Sequence, residues 1–182
     1  MNLETTFIKD LVVLTPTVFE DERGYFMESY NANKLKDLGV NIDFVQDNQS
    51  FSKKGTLRGL HYQNPPYAQT KLVRVLEGEI IDVAVDLRKD SPTFGKHFGI
   101  KLTAENKKQL LVPQGFAHGF SVISETAVVL YKCDQFYNKE SEGGIRYDDP
   151  ELNIDWGMDL KEAIVSEKDA VLPDLTNCNS QF

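Results

Sequence analysis

Lys71-Leu72-Val73-Arg74-Val75-Leu76-Glu77-Gly78-Glu79-Ile80-Ile81-Asp82-Val83-Ala84-Val85-Asp86-Leu87 holds two short runs rich in Val, Ile and Leu. β-branched residues fit a pleated surface, and runs this short, broken by glycine, read as strands rather than helices. Working outward, the same pattern recurs at Phe44–Asn48, Thr56–Tyr62, Phe94–Leu102, Lys108–Val112, His118–Ile123 and Ala127–Tyr131. Asn64-Pro65-Pro66-Tyr67 and Pro113-Gln114-Gly115 are turns, because proline removes donors and glycine permits positive φ. Many short strands at this spacing predict a mainly all-β fold, a jelly-roll sandwich or small barrel, rather than a βαβ fold. Residues 11–30 read as extended, with a turn at Asp21-Glu22-Arg23-Gly24. A helix is expected over Asn31–Leu38, ended by Gly39. Another short helical piece is expected over Leu160–Val165, within an irregular C-terminal tail. The expectation is one domain spanning residues 1–182.

Composition narrows the function. The chain has 182 residues, 41% hydrophobic and 26% charged, as ordinary globular chains do. Its net charge of −8 argues against a general nucleic-acid binder, which carries a basic stripe. A few local cations still suffice to hold a diphosphate. The two cysteines, Cys133 and Cys178, make neither a disulfide framework nor a zinc site. The start of the chain lacks a basic region followed by an apolar one, and no apolar run reaches membrane-spanning length. A cytoplasmic protein without membrane contact is therefore expected.

The chemistry concentrates in Leu57-Arg58-Gly59-Leu60-His61-Tyr62-Gln63 and in Lys71. Ionisable groups inside apolar strands are costly unless paired or used. A lone strand histidine is more often structural than catalytic, but Arg58 and Lys71 nearby move His61 toward function. A histidine takes a proton from carbon when a carboxylate orients its ring; the residues alone do not choose among the acids. A cation such as Lys71 aimed at a forming enolate supplies the stabilisation that proton abstraction beside a carbonyl needs. Lys71 and Arg58 are otherwise edge charges against aggregation. Tyr131 reads as a core phenol or, at a barrel mouth, as a general acid. Lys71 shares parity with Val73 and Val75, and Tyr131 with Val129, yet both faces of these runs are apolar. Arg58 and His61 have opposite parity, so both reach one site only through a bulge or bend at Gly59.

His118, within Pro113-Gln114-Gly115-Phe116-Ala117-His118-Gly119-Phe120, invites a metal reading. A metal-binding cupin presents a His-x-His pair, whereas here the first element reads His61-Tyr62-Gln63, and His97 lies in a more polar context. No metal and no cofactor are expected: there is no Gly-x-Gly-x-x-Gly or Walker-type loop. Arg23-Gly24-Tyr25-Phe26-Met27-Glu28 is either a plain turn or a source of an arginine for phosphate and an aromatic for a base.

These pieces resemble the dTDP-4-dehydrorhamnose 3,5-epimerase family. The resemblance is carried by Arg23–Phe26, Gln46–Ser50, Leu57–Gln63, Gln69–Val75, Gly78–Arg88, Pro113–Phe120 and Ser166–Asp169, in order across nearly the whole chain. It implies a metal-independent, cupin-like jelly roll, a homodimer, and an isomerase acting on a dTDP-4-keto-6-deoxyhexose in dTDP-L-rhamnose synthesis. It implies His61 as general base, Asp169 as its partner, Tyr131 as general acid and Lys71 as the cation at the ketone. It places Arg23, Phe26, Glu28, Gln46, Asn48, Arg58, His118, Tyr137, Glu142 and Lys168 around the nucleotide sugar, with Phe19 beside them. The rival readings are a metal-dependent cupin enzyme, a sugar-binding jelly roll without catalysis, and a mono-epimerase of the same family.

Overall fold

The computed structural model describes residues 1–182. Its first strands are β1 (Asn2–Thr5), β2 (Val12–Thr15), β3 (Val18–Asp21) and β4 (Gly24–Met27), followed by helix α1 (Ala32–Asp37). Then come β5 (Gln46–Lys53), β6 (Leu57–Gln63), β7 (Lys71–Glu77), β8 (Glu79–Asp86), β9 (His97–Thr103), β10 (Gln109–Val112), β11 (Phe116–Val122), β12 (Thr126–Cys133) and β13 (Glu142–Gly144). They form a six-stranded sheet in the order β1-β2-β10-β7-β12-β5 and a five-stranded sheet in the order β13-β6-β11-β8-β9; β3 and β4 make a separate hairpin. Pairing between these strands is antiparallel throughout. The chain is a cupin-like jelly roll, as the sequence pattern predicts.

Strand alternation builds the core. Val13, Val73, Val75, Leu110 and Val129 from the six-stranded sheet meet Ile80, Ala84, Leu102, Phe116 and Phe120 from the other. Full burial of one such side chain stabilises the fold by about 1.5–3 kcal/mol. The parity left open by the sequence is thereby settled: Lys71 and Tyr131 lie on the inner face with Val73, Val75 and Val129. Leu72 instead packs outside with Val12, Leu14, Leu111 and Leu35, the one buried residue of α1. The long apolar run of β8 is explained by burial on both faces. Val83 and Val85 point outward into a second cluster with Leu57, Leu60, Ala117, Ile145, Leu152 and Trp156.

Several expectations need correction. The strand expected at Phe44–Asn48 runs over Gln46–Lys53. Its inward residues Gln46, Asn48, Ser50 and Ser52 are polar, Ser50 lining a polar cavity and Ser52 accepting from Arg58 beside it, so an apolar pattern could not mark them. Leu160–Val165 is not a helix: one 3₁₀ turn spans Leu160–Glu162, and Ile164 then bridges Thr56 in parallel. The Ile164 carbonyl accepts from Leu57 N–H at 3.0 Å, and its N–H donates to the Gly55 carbonyl at 2.8 Å, so the segment serves as strand edge. The tail is no loose appendage, since Trp156 is 1% exposed and its indole donates to the Tyr147 carbonyl at 2.9 Å. β1 and β13 had no apolar signature and went unread. The early helix holds, trimmed to its caps: Asn31 accepts from Lys34 N–H at 3.2 Å, and Leu38 closes the other end.

Gly78 turns the chain from one sheet to the other between β7 and β8. Its φ is +78°, and a Cβ there would stand 2.0 Å from the Thr126 carbonyl oxygen. Gly99, on β9, has only an ordinary contact at 3.7 Å. Gly78→Ala is expected to lower unfolding stability by about 3 kcal/mol or more, and Gly99→Ala to change it by less than about 1 kcal/mol. Urea denaturation of both variants checks the contrast.

Candidate active site

One end of the sandwich opens into a cavity of about 570 Å³ lined by Arg58, His61, Lys71, His118, Tyr131, Lys168 and Asp169, among others. It exists because of an irregularity in β6. Between the pairs His118↔His61 and Phe120↔Arg58, β6 advances three residues while β11 advances two. That extra residue is a β-bulge at Gly59-Leu60, and it restores Arg58 and His61 to one face. Leu57, Leu60 and Tyr62 meanwhile pack outward in the second cluster. Gly59 has φ +119°, and a Cβ there would come within 2.6 Å of the Gly119 Cα, so the two backbones meet where no side chain fits. The Gly59–Leu60 peptide is cis.

The bulge also carries a donor. Gly59 N–H donates to Asp169 Oδ2 at 3.2 Å, while Asp169 Oδ1 is 2.7 Å from His61 Nε2. Asp169 N–H in turn donates to Ser166 Oγ at 3.1 Å. The acid side chain is 5% exposed and the imidazole 31%. Burial alone would push the Asp169 carboxyl up. The bonds from His61 and Gly59, and the charge of His61, outweigh it and hold the carboxyl below its ordinary value. A second dyad lies beside the first on the neighbouring strand: His118 Nε2 is 2.8 Å from Asp82 Oδ1, with both side chains almost wholly buried. Neither His61 Nδ1 nor His118 Nδ1 has a protein hydrogen-bond partner.

The facing sheet supplies Lys71 and Tyr131. The ammonium lies 6.0 Å from the Tyr131 ring centre and makes no salt bridge. Burial pushes Lys71 down, opposed by its acidic neighbours Cys133, Asp82 and Glu142, of which the Cys133 thiol is itself pushed up by burial. Burial pushes the Tyr131 phenol up, Cys133 adds to this, and Arg58 pulls it back. Tyr131 therefore stays a protonated donor through neutral pH. Arg58 is steadied by donating to Ser52 Oγ at 3.1 Å.

Gln46, Asn48, Tyr137 and Glu142 border the cavity through its lining residues without lining it themselves. Gln46 donates to Asn48 at 3.0 Å, Asn48 stands opposite Tyr131 in the strand register, and Tyr137 N–H donates to the Gln46 side chain at 3.1 Å. Glu142 joins Lys168 at 2.5 Å and accepts from the Tyr137 hydroxyl at 3.2 Å. Arg23, Phe26, Glu28 and Phe19 are not brought to this cavity. Arg23 and both phenylalanines sit on the β3–β4 hairpin, where Arg23 pairs with Asp21 at 2.5 Å and the phenylalanines are exposed; Glu28 follows it and pairs with Lys34 of α1. Sequence reading missed Asp82 and Ser50. The signal for Asp82 was an acid inside the run Ile80–Val85; for Ser50 it was the alternation of polar residues in Gln46–Ser52. No group of three or more His, Cys, Asp or Glu is arranged to hold a metal ion.

The fold and cavity define a class, a cupin-like jelly roll with a His–Asp dyad facing a tyrosine and a lysine across its cavity. Comparison with known proteins narrows it. The family described as dTDP-4-dehydrorhamnose 3,5-epimerase matches residues 5–177. The crystal structure of an enzyme of that name from Elizabethkingia anophelis is 57% identical, with a TM-score of 0.94 and 97% of each chain covered. A curated relative from Shigella flexneri with the same name is 53% identical over 170 residues, 93% of each chain. The Legionella pneumophila dTDP-6-deoxy-D-glucose-3,5-epimerase, solved in complex with dTDP-4-keto-L-rhamnose, is 48% identical, with a TM-score of 0.92 over 97% of this chain and 93% of that one. The chain belongs to the dTDP-4-dehydrorhamnose 3,5-epimerase family.

The Asp169 bonds carry a pH signature. A carboxyl held low in the folded state adds stability that is fully present above its unfolded value, about pH 4, and is lost as pH falls through the lower folded value. The unfolding free-energy difference between the native chain and Asp169→Asn is therefore expected to be constant near neutrality and to shrink below about pH 4. Urea titrations at stepped pH check it.

Proposed function

We propose that the chain is a dTDP-4-dehydro-6-deoxy-D-glucose 3,5-epimerase of dTDP-L-rhamnose synthesis, and that all of residues 1–182 serve this one unit. The observation that carries the reading is the opposition of His61, on the five-stranded sheet and held by Asp169 from the C-terminal segment, to Tyr131 and Lys71, on the six-stranded sheet, across one cavity. A hexose ring entering between the sheets meets a base on one face and an acid on the other. Its C4 ketone acidifies both C3–H and C5–H. His61 removes the proton, and Asp169 fixes its ring and stabilises the imidazolium. Lys71 stabilises the enolate oxygen, and Tyr131 returns a proton to the opposite face. Solvent then takes the proton from His61 and returns one to Tyr131, and turnover of the ring lets the reset pair serve the second carbon. Each step uses groups of the protein and solvent alone.

Arg58, His118, Lys168, Glu142, Tyr137, Gln46 and Asn48 surround this centre and are assigned to binding the nucleotide sugar. Arg23, Phe26 and Glu28 lie off their own subunit's cavity, which supports a homodimer in which the hairpin serves the other copy. The outer face of β7, β12 and β5 supports the same assembly. It carries no helix, and Phe51 and Leu76 are 59% and 39% exposed on either side of Val128 and Leu130. No helix is long and apolar enough to cross a membrane. Cys133 and Cys178 are free thiols, in keeping with the reducing cytoplasm we assign to the enzyme.

Incubation with dTDP-4-dehydro-6-deoxyglucose in deuterium oxide, read by NMR, tests the activity. Deuterium is expected at both C3 and C5 with inversion. Label at a single carbon would mean a mono-epimerase, and no label with folded protein would refute the activity on this substrate. His61→Asn is expected to abolish exchange at both carbons. Lys71→Met is expected to lower kcat by roughly 10²–10³-fold, the scale of a lost oxyanion donor. Phe51→Glu is expected to convert a dimer to monomer in sedimentation runs and to weaken substrate binding with it.

A further inference from the structure

Among the buried acids that the mechanism does not use, Asp82 alone bonds to a side chain lining the cavity. Asp82 lies on the inner face of β8, level with Ile80 and Ala84 in the core, and is 0% exposed. Its Oδ1 holds His118 at 2.8 Å, but its Oδ2 is buried with no hydrogen-bond partner. A bare carboxylate oxygen in a core is costly and calls for a reason. Lys71, on the inner face of β7, is the complementary case, an ammonium in the same interior without a salt bridge. His118, the partner of Asp82, and Lys71 both line the one cavity.

We propose that Asp82 is a positioning residue of the epimerase site, with one carboxylate orienting His118 and serving as the internal counter-charge of Lys71. The inference rests on the epimerase reading of the cavity. The ammonium must stay charged to meet an enolate, yet a close ion pair would neutralise it and hold it away from the substrate. A carboxylate set back behind His118 supplies the charge without occupying the lysine. The other groups facing Lys71 do not replace it. Cys133 and Tyr131 on β12 are neutral at pH 7, Arg58 on β6 repels, and His61 and His118 are engaged with their aspartates. Glu142 on β13 is committed to Lys168. The electrostatics agree in direction, since Asp82 is among the charges that raise Lys71 against its burial.

The test reads Lys71 without substrate, so its failure differs from failure of the epimerase reading. In protein carrying 13C at lysine Cε, the Lys71 signal is assigned with Lys71→Arg and titrated by NMR. In Asp82→Asn the Lys71 midpoint is expected to fall by roughly one pH unit or more, the scale of a lost neighbouring opposite charge. In Asp82→Glu, which keeps the charge, it is expected to return toward the native value. With substrate, Asp82→Asn should lower kcat at least tenfold with little change in KM, and the alkaline limb of kcat should move to lower pH. A Lys71 midpoint unchanged in Asp82→Asn overturns the proposal. Should Asp82→Asn not fold, Lys71→Met reads the pair from the other side. If Asp82 depends on Lys71, that variant is less stable than the native chain at pH 7. If Lys71 is merely an uncompensated buried charge, removing it raises stability, which also overturns the proposal.

Discussion

The close passage of β6 against β11 governs the site. At Gly59 and Gly119 the two backbones approach so nearly that a Cβ on either would stand 2.6 Å from the other strand. The bulge that accompanies this approach shifts strand parity by one. Without it, Arg58 and His61 would face opposite sides of the sheet. With it, both face the cavity, Leu60 faces the outer core, and a backbone N–H is left free to hold Asp169. Orientation, charge and proton chemistry at His61 all follow from one extra residue.

The interior divides into two regions of different chemistry. Toward one end the facing sheets interdigitate Val, Ile, Leu and Phe. Toward the other, the inward positions carry Gln46, Asn48, Ser50, Ser52, Arg58, His61, Lys71, His118 and Tyr131. Charged groups survive there because most are engaged: His61 with Asp169, His118 with Asp82, Glu142 with Lys168. The apolar end holds the sheets at a fixed separation, and that separation sets the distance between His61 and Tyr131. The packed core and the polar cavity are thus two ends of the same pair of sheets, and a void in the apolar end would be felt at the polar one.

Much of this was legible in the sequence, for physical reasons. Strands buried on one or both faces announced themselves through β-branched residues, as in β7 and β8. β5 did not, because its inner face meets a ligand cavity and therefore alternates polar with polar. The segment from Leu160 to Val165 looked helical because its apolar residues are close together, but they are spent against the outer face of the other sheet. His61, Lys71 and Tyr131 stood out by type and context. Their direction did not, since parity is ambiguous where both faces are apolar. Asp169 entered only through family resemblance: no local spacing links it to His61, 108 residues away. Asp82 was overlooked because an acid in an apolar run declares its importance only when its partners are known.

That separation gives the His61–Asp169 contact another meaning. The strands that form the sandwich are complete only with β13, which ends at Gly144. Asp169 arrives later, on a segment that first wraps the five-stranded sheet through Leu152 and Trp156. Contacts between such distant residues close a long loop and rest on everything folded within it. A nascent chain emerging from a ribosome therefore has His61 before it has the carboxylate that holds the imidazole. Ser166 and Lys168 come with Asp169, so the lining of the cavity and the dyad within it are completed together, by the last part of the chain to be made.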